Sequence, residues 1–300
     1  MIAVTGGTGF VGESVVRHLL IEGFQPRLLV RSHIGAGSPK GSSAALHCRC
    51  DFADPRSLAE AFRGCHAVVH LVGIIAEYGR NSFEEVHSNL TRRVVQACGQ
   101  SGVRRLIHMS AIGTRPSASS RYHQTKWCSE ESVRASGLDW TIFRPSLIYG
   151  PNDQFTGLFA RMSRWSPVLP AIGGGRNLMQ PIGVDLVGRA FAKAVSHPGS
   201  IGKVFDLCGP ERLEFRAILE TVLLAQRRGR LILNVPISMA RIQARILETL
   251  WPLILRRPSP LNRDQILMLQ EDNVGDGTAA DAAFGLVHPR LRTVLEGLYG

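Results

Sequence analysis

One short stretch constrains this chain more than any other. Gly6-Gly7-Thr8-Gly9-Phe10-Val11-Gly12 follows directly on the apolar run of residues 2–5. Behind the glycines, Val11, Val15, Val16, Leu19 and Leu20 recur at helical spacing and stop at Gly23. A strand, a tight turn and a helix start in this order aim backbone N–H groups and the positive end of a helix dipole at one point, which suits a pyrophosphate. Gly7, Gly9 and Gly12 fit the general dinucleotide fingerprint, and Gly6, Gly9 and Gly12 fit its wider variant. Such glycines alone are a weak signal. Their place between a strand and an amphipathic helix makes them specific, and the expected contacts are Gly6, Thr8, Gly9, Phe10, Val11 and Gly12.

The rest of the first half alternates strand and helix. Strands are expected at 27–30, 45–50, 67–72, 104–109 and 140–143. Helices are expected from Asp54-Pro55 (an N-cap with proline in the first helical position) to about 62, over 83–101 and over 122–136. Residues 34–45, rich in Gly and Ser, read as a loop. Most of these strands are apolar on both faces, which predicts an α/β fold with a parallel, doubly wound sheet of the Rossmann type. Residues 1–150 would form this dinucleotide-binding domain. Residues 151–300 would form a smaller mixed and helical substrate lobe, with some segments returning to the sheet. There Gly173-Gly174-Gly175 reads as a loop, Asp185 as the cap of a helix to about 196, 204–207 as a strand and 214–226 as a helix.

The end of the second strand carries the next reading. An acidic residue there would hold a ribose 2′-hydroxyl, but Arg31-Ser32 occupies the position. A guanidinium pairs with a 2′-phosphate, so NADP(H) is favoured over NAD(H). The bland alternative is that Arg31 is a solvated surface residue. Asp51-Phe52, after the third strand, is placed to meet the adenine edge.

Charge and cysteine usage exclude other classes. The net charge is +11, yet only Lys40, Lys126, Lys193 and Lys203 are lysines, and the arginines are spread along the chain with no basic arm. Nucleic-acid binding normally needs a clustered footprint, so it is not expected. The six cysteines show no C-x-x-C pair, and Cys65, Cys98 and Cys208 lie in or beside apolar segments, which suits a reducing compartment and no metal. Met1-Ile2-Ala3-Val4 runs straight into the glycine turn, which leaves no room for a targeting peptide. The expected location is the cytoplasm, including the inner face of the membrane.

Several motifs carry a family resemblance. Residues 5–12, Asp51, Val68-Val69-His70-Leu71-Val72-Gly73, Tyr122-x-x-x-Lys126 and Arg144-Pro145-Ser146 resemble the extended and atypical short-chain dehydrogenase/reductases, the NAD-dependent epimerase/dehydratase-like group. Leu71-Val72-Gly73-Ile74, Ser120-Arg121-Tyr122 and residues 265–274 are similar to one atypical branch. That branch holds the Rossmann-fold accessory subunit of respiratory complex I and its bacterial relatives. The resemblance runs over nearly the whole chain, with its motifs in order and at matching spacing. It implies that Leu71, Val72, Gly73, Ser110 and Pro145 line the cofactor, that Tyr122 is the acid/base, and that Lys126 holds the nicotinamide ribose and lowers the tyrosine pKa. Tyr122 and Lys126 stand at i and i+4 on one helix face, where an ammonium can favour the phenolate of a group that ordinarily titrates near ~10. The chain departs from the pattern at Ile112, where extended members carry the hydroxyl that polarises a substrate carbonyl. Ser110 ends the strand, and Thr114 is the other hydroxyl nearby. Loss of such a donor commonly costs about 10²–10³ in rate.

Residues 237–255 read as a helix with Ile242, Ile246, Leu247, Leu250, Trp251 and Ile254 on one side, kinked or ended by Pro252 and followed by Arg256-Arg257. It is too broken by charge to span a bilayer. Its apolar face either packs inward over the substrate lobe, the commoner arrangement, or lies with its arginines on anionic lipid or a membrane-bound partner through residues 237–257. Two functions follow. One is an NADP(H)-dependent oxidoreductase acting on a small or lipid- or quinone-like carbonyl or alcohol. The other is a non-catalytic NADPH-holding accessory or assembly subunit of a membrane respiratory complex.

Overall fold

A computed structural model describes residues 1–31 and 45–300, apart from the side chain of Leu253. Ser32 and nearly all of the Gly/Ser-rich segment therefore lie outside the described residues. The first half alternates β1 (Ile2–Thr5), α1 (Phe10–Ile21), β2 (Pro26–Val30), β3 (Leu46–Arg49), α2 (Pro55–Phe62), β4 (Ala67–His70), α3 (Leu90–Ser101), β5 (Arg105–Met109), α4 (Arg121–Arg134) and β6 (Asp139–Pro145). Short strands β7 (Ile148–Tyr149), β8 (Val168–Ile172), β9 (Leu178–Met179) and β10 (Ile182–Gly183) follow, with α5 (Thr156–Trp165) after β7 and α6 (Val184–Val195) after β10. The chain then forms β11 (Lys203–Leu207), β12 (Leu213–Glu214), α7 (Phe215–Ala225) and β13 (Leu231–Val235). It ends in α8 (Ile237–Leu255), α9 (Arg263–Met268), α10 (Thr278–Phe284) and α11 (Leu291–Tyr299).

Seven strands form one parallel sheet in the order β11-β6-β5-β4-β1-β2-β3. Strand order reverses beside β1, which places a crevice at the carboxyl ends of β1 and β4. Side chains alternate between two cores, as a pleat with period two requires. Val4, Val69, Ile107 and Phe143 face α1, α6 and α10. Ala3, Val68, Leu106 and Ile142 face α2 and α3. Helices on both faces explain why β1 and β4 are buried at every residue.

Beyond β6 the chain builds a second set of layers and also returns to the first. β11 completes the sheet against β6, and α6 packs on α1 so closely that a Cβ on Gly188 would lie 2.3 Å from Ser14 Oγ. A separate core gathers Phe215, Leu219, Val222, Leu291 and Leu295 from α7 and α11. Three local expectations need correction. Asp185 does not cap its helix: the cap is Gly183, and the Asp185 carboxylate pairs with Arg17 (2.6 Å) and His18 (2.9 Å) on α1. The expected helix over 83–101 begins as a π-helical turn, Glu84–Asn89, before the regular α3. The apolar stripe of α8 faces outward: Met239, Ile242, Ile246, Leu250 and Ile254 are exposed, and among the described side chains of α8 only Ala240 and Ala244 are buried, against α9. Pro252 sits within α8, which runs on to Leu255.

Candidate functional site

The glycine turn folds as its composition requires. Gly6 adopts φ +76°, a left-handed conformation open to glycine without strain, and its carbonyl oxygen accepts from the Gly9 N–H (3.1 Å). A Cβ on Gly12 would lie 2.2 Å from that same oxygen, so helix α1 can start this close to the strand only with glycine there. Among the described residues no side chain caps α1. Its first N–H groups are therefore left for an anion, beside the exposed Thr8 and Gly9 and the half-buried Phe10 and Val11. The turn touches the end of β4: a Cβ on Gly6 would lie 3.1 Å from Val72 N. A cleft of about 510 Å³ continues past Thr8 and Phe10 toward Pro151, Asn152 and Val184.

Arg31, exposed, directly follows β2. Asp51 follows β3 by two residues, with its carboxylate accepting from the Ala53 N–H (2.9 Å). The Phe52 carbonyl oxygen accepts from Arg93 Nε (2.9 Å), which ties this rim to α3.

The expected catalytic residues lie on α4 and just after β5, with Tyr122 and Lys126 on the helix and Ser110 following the strand. Ser120 caps α4 through the His123 N–H, and Asp264 of α9 accepts from the Arg121 N–H (2.6 Å). Lys126, 2% exposed, donates to the Met109 carbonyl oxygen (2.9 Å), and its Nζ would lie 3.2 Å from a Cβ on Gly73. Glycine at 73 is thus what leaves room beside the ammonium. Burial lowers the Lys126 pKa to about 8, and Glu130, one helical turn on, opposes that shift. Glu130 is itself fully buried and held by Arg144 (2.7 Å and 2.6 Å) and Arg134.

Tyr122 is half-buried, with its ring edge-on to Phe83, His87 and His123. Here the structure differs from expectation. Burial pushes the phenol up to about 12, and the lysine ammonium is turned to Met109. Ser110 is buried and donates to Thr114 Oγ1 (3.3 Å), so the tight loop with Gly113 at φ +86° brings these two hydroxyls together. Ile112 is buried, with its side chain against the Gly275 segment: a Cβ on Gly275 would lie 2.7 Å from Ile112 Cδ1. Its N–H donates to the Pro145 carbonyl oxygen (3.0 Å), which fixes Pro145 at the rim.

Sequence reasoning missed the histidines. His87 Nδ1 meets Thr125 Oγ1 (2.9 Å), and its Nε2 faces both the N–H (3.2 Å) and the carbonyl oxygen (3.1 Å) of Ile74. Burial holds its pKa down to about 2. His70 lies between the hydroxyls of Thr5 (2.7 Å) and Thr91 (3.1 Å) and stacks on His108. The signal was available: His70 and His108 occupy matching positions in two neighbouring strands whose central residues are apolar.

The C-terminal segment closes the site from above. Asn262 Nδ2 donates to the Ile75 carbonyl oxygen (2.8 Å), Arg115 pairs with Glu271 (2.9 Å), and Asn273 Oδ1 accepts from the Leu147 N–H (2.9 Å).

Comparison with known proteins agrees with this geometry. Residues 6–161 match the family model described as NAD(P)H-binding. Over 216 residues the chain is 32% identical to subunit 9 of the NADH dehydrogenase [ubiquinone] 1 alpha subcomplex of Rattus norvegicus, a match covering 70% of this chain and 56% of that protein. It is 34% identical to a ceramide reductase of Caulobacter vibrioides over 57% of this chain and 54% of that one. These matches span little more than half the length of either relative. A nucleoside-diphosphate-sugar epimerase of Staphylococcus aureus shares the fold, with a TM-score of 0.76 at 17% identity over 98% of this chain and 99% of that one. The resemblance to the epimerase/dehydratase-like proteins and the complex I accessory branch is therefore borne out, and the chain belongs to the NAD(P)H-binding family of Rossmann-fold proteins.

Proposed function

We propose that the chain is an NADP(H)-dependent reductase of a small or lipid-like carbonyl compound. The observation that carries this reading is the buried Lys126 on Met109 of β5 beside the Ser110–Thr114 hydroxyl pair, with Tyr122 one turn earlier on the same helix and an uncapped helix start at the glycine turn. The residues fit a dinucleotide: the Gly6–Gly12 cradle admits no Cβ at Gly12, and Gly73 leaves space at the lysine. A bound nicotinamide supplies the hydride. Lys126 orients a ribose hydroxyl, Tyr122 holds or delivers the proton at its phenol oxygen, and Thr114 with Ser110 donates to the substrate oxygen in place of the hydroxyl missing at Ile112. Arg31, exposed at the end of β2, supports selection of the 2′-phosphate, since Asp51 spends its carboxylate on its own turn. The ceramide reductase relative supports a lipid-like substrate.

Calorimetric titration with NADPH and NADH tests the cofactor. Arg31→Ala is expected to weaken NADPH binding roughly 10- to 100-fold and leave NADH nearly unchanged, as loss of a charge-assisted contact requires. Equal losses for both would refute phosphate selection. Turnover of long-chain ketones and quinones tests the chemistry, and equal rates for the wild type and Tyr122→Phe would remove Tyr122 from it.

A second reading, a cofactor-holding subunit of a respiratory complex, is favoured by Ile112 and by the raised phenol pKa, both of which blunt catalysis. The rat complex I relative supports it. Tight NADPH retention with no turnover on any carbonyl, and co-purification with a membrane complex, would select it.

A further inference from the structure

We infer that the outward face of α8 is a docking surface for an anionic lipid bilayer. Met239, Ile242, Ile246, Leu250 and Ile254 are spaced at three and four residues, which gathers them on one side of the helix within an arc of about 120°. All five are exposed, between 49% and 73%. Ala240 and Ala244, the buried residues of α8, lie to one side of this stripe against Ile266 of α9, and Arg241 and Arg245 lie to the other. An aliphatic stripe this long, pointing away from the core, is the reverse of the usual helix on a globular surface.

Charge selects the occupant. Glu248, the one acid in α8, is taken by Arg263 (2.7 Å). Arg241 meets only the neutral Gln270 (3.1 Å). Arg245, Arg256 and Arg257 are exposed and have no carboxylate partner among the described residues. The stripe is thus bordered along its length and at its C-terminal end by unneutralised guanidinium groups, which complement phosphate headgroups. The five exposed residues of the stripe are aliphatic or Met, and the half-buried Trp251 beside them is the one aromatic of α8, whereas protein contacts are commonly anchored by several aromatic side chains. Among the described residues no helix is long and apolar enough to cross a membrane, so the contact is interfacial, with α8 lying in the headgroup plane. The helix is one element removed from the site: α9 packs under α8, and Asp264 of α9 holds the first N–H groups of α4. A lipid-like substrate would then enter from the surface on which the protein sits. The docking itself does not rest on that chemistry.

Flotation of the full chain with phosphatidylcholine vesicles, with and without phosphatidylglycerol, tests this. Binding is expected only to the anionic vesicles, with loss on adding salt. Ile246→Asp is expected to weaken it at least ~10-fold, and Arg245→Glu with Arg257→Glu roughly 30-fold or more. NADPH-dependent thermal shifts in each variant verify folding and report on the cofactor site separately. The arginine pair, fully solvent-facing, keeps the test valid if Ile246→Asp does not fold. No binding to either vesicle, or binding indifferent to lipid charge and to both variants, overturns the proposal. So does a dimer in light scattering that Ile246→Asp dissociates, which would give the face to a second copy.

Discussion

At the scale of single residues, Lys126 shows how binding and stability pull apart. Its ammonium is almost wholly withdrawn from water and donates to the Met109 carbonyl oxygen, so the folded chain holds its proton less tightly than the unfolded chain, at about 8 against 10.5. Between those values the unfolded state binds more protons, and stability rises with pH across that window. The wild type should gain roughly 2 kcal/mol relative to Lys126→Met between about pH 7.5 and pH 10, measured by urea unfolding of both proteins. Parallel pH profiles would show that the lysine titrates normally. The cost of keeping this charge buried is what leaves it poised toward Gly73 and the crevice.

At the scale of elements, four histidines tie β4, β5 and the flanking helices together in neutral form. Burial lowers the pKa of His70 to about 3, His87 to about 2 and His123 to about 4, and places that of His108 well below its ordinary value. Each folded value lies below the unfolded 6.5, so each contribution is complete above that pH and is lost as pH falls toward the folded value. Stability should drop by about 1.4 kcal/mol per histidine per pH unit in mildly acid solution, before most carboxylates titrate. A flat stability profile between about pH 6.5 and 5 would contradict this. These elements also show what could be read beforehand. The strands and α1 were legible because burial on both faces writes continuous apolar runs and the turn demands glycine at fixed places. Tyr122, Lys126 and Ser110 were legible because one helix and one strand end carry them. His87 and Asp264 were not: each acts through partners distant in sequence (Thr125 and the N–H groups of α4), and no local period records such a contact. For α8 the apolar stripe was evident and its direction was not, since a helix that faces lipid and one that faces a core share the same period.

At the scale of the whole molecule, ligand and chain topology act together. A dinucleotide that binds only the folded form should add about 2.7 kcal/mol at a hundredfold excess over its Kd, and the melting temperature should rise with cofactor concentration. The family match ends at residue 161, but the sheet does not: β11, made of residues 203–207, pairs with β6 across its whole length, and α6 covers α1. A fragment of residues 1–161 would expose the edge of β6 and the apolar flank of α1. It is expected to aggregate and to fail to retain NADPH, whereas soluble, cofactor-binding material in size-exclusion chromatography would show that the fragment folds alone. The late arrival of β11 carries a further consequence for the living cell. During synthesis residues 6–12 leave the ribosome well before residues 203–207, so the sheet that supports the glycine turn stays one strand short while the residues between them are made. The nascent chain must therefore wait with the edge of β6 open over that interval.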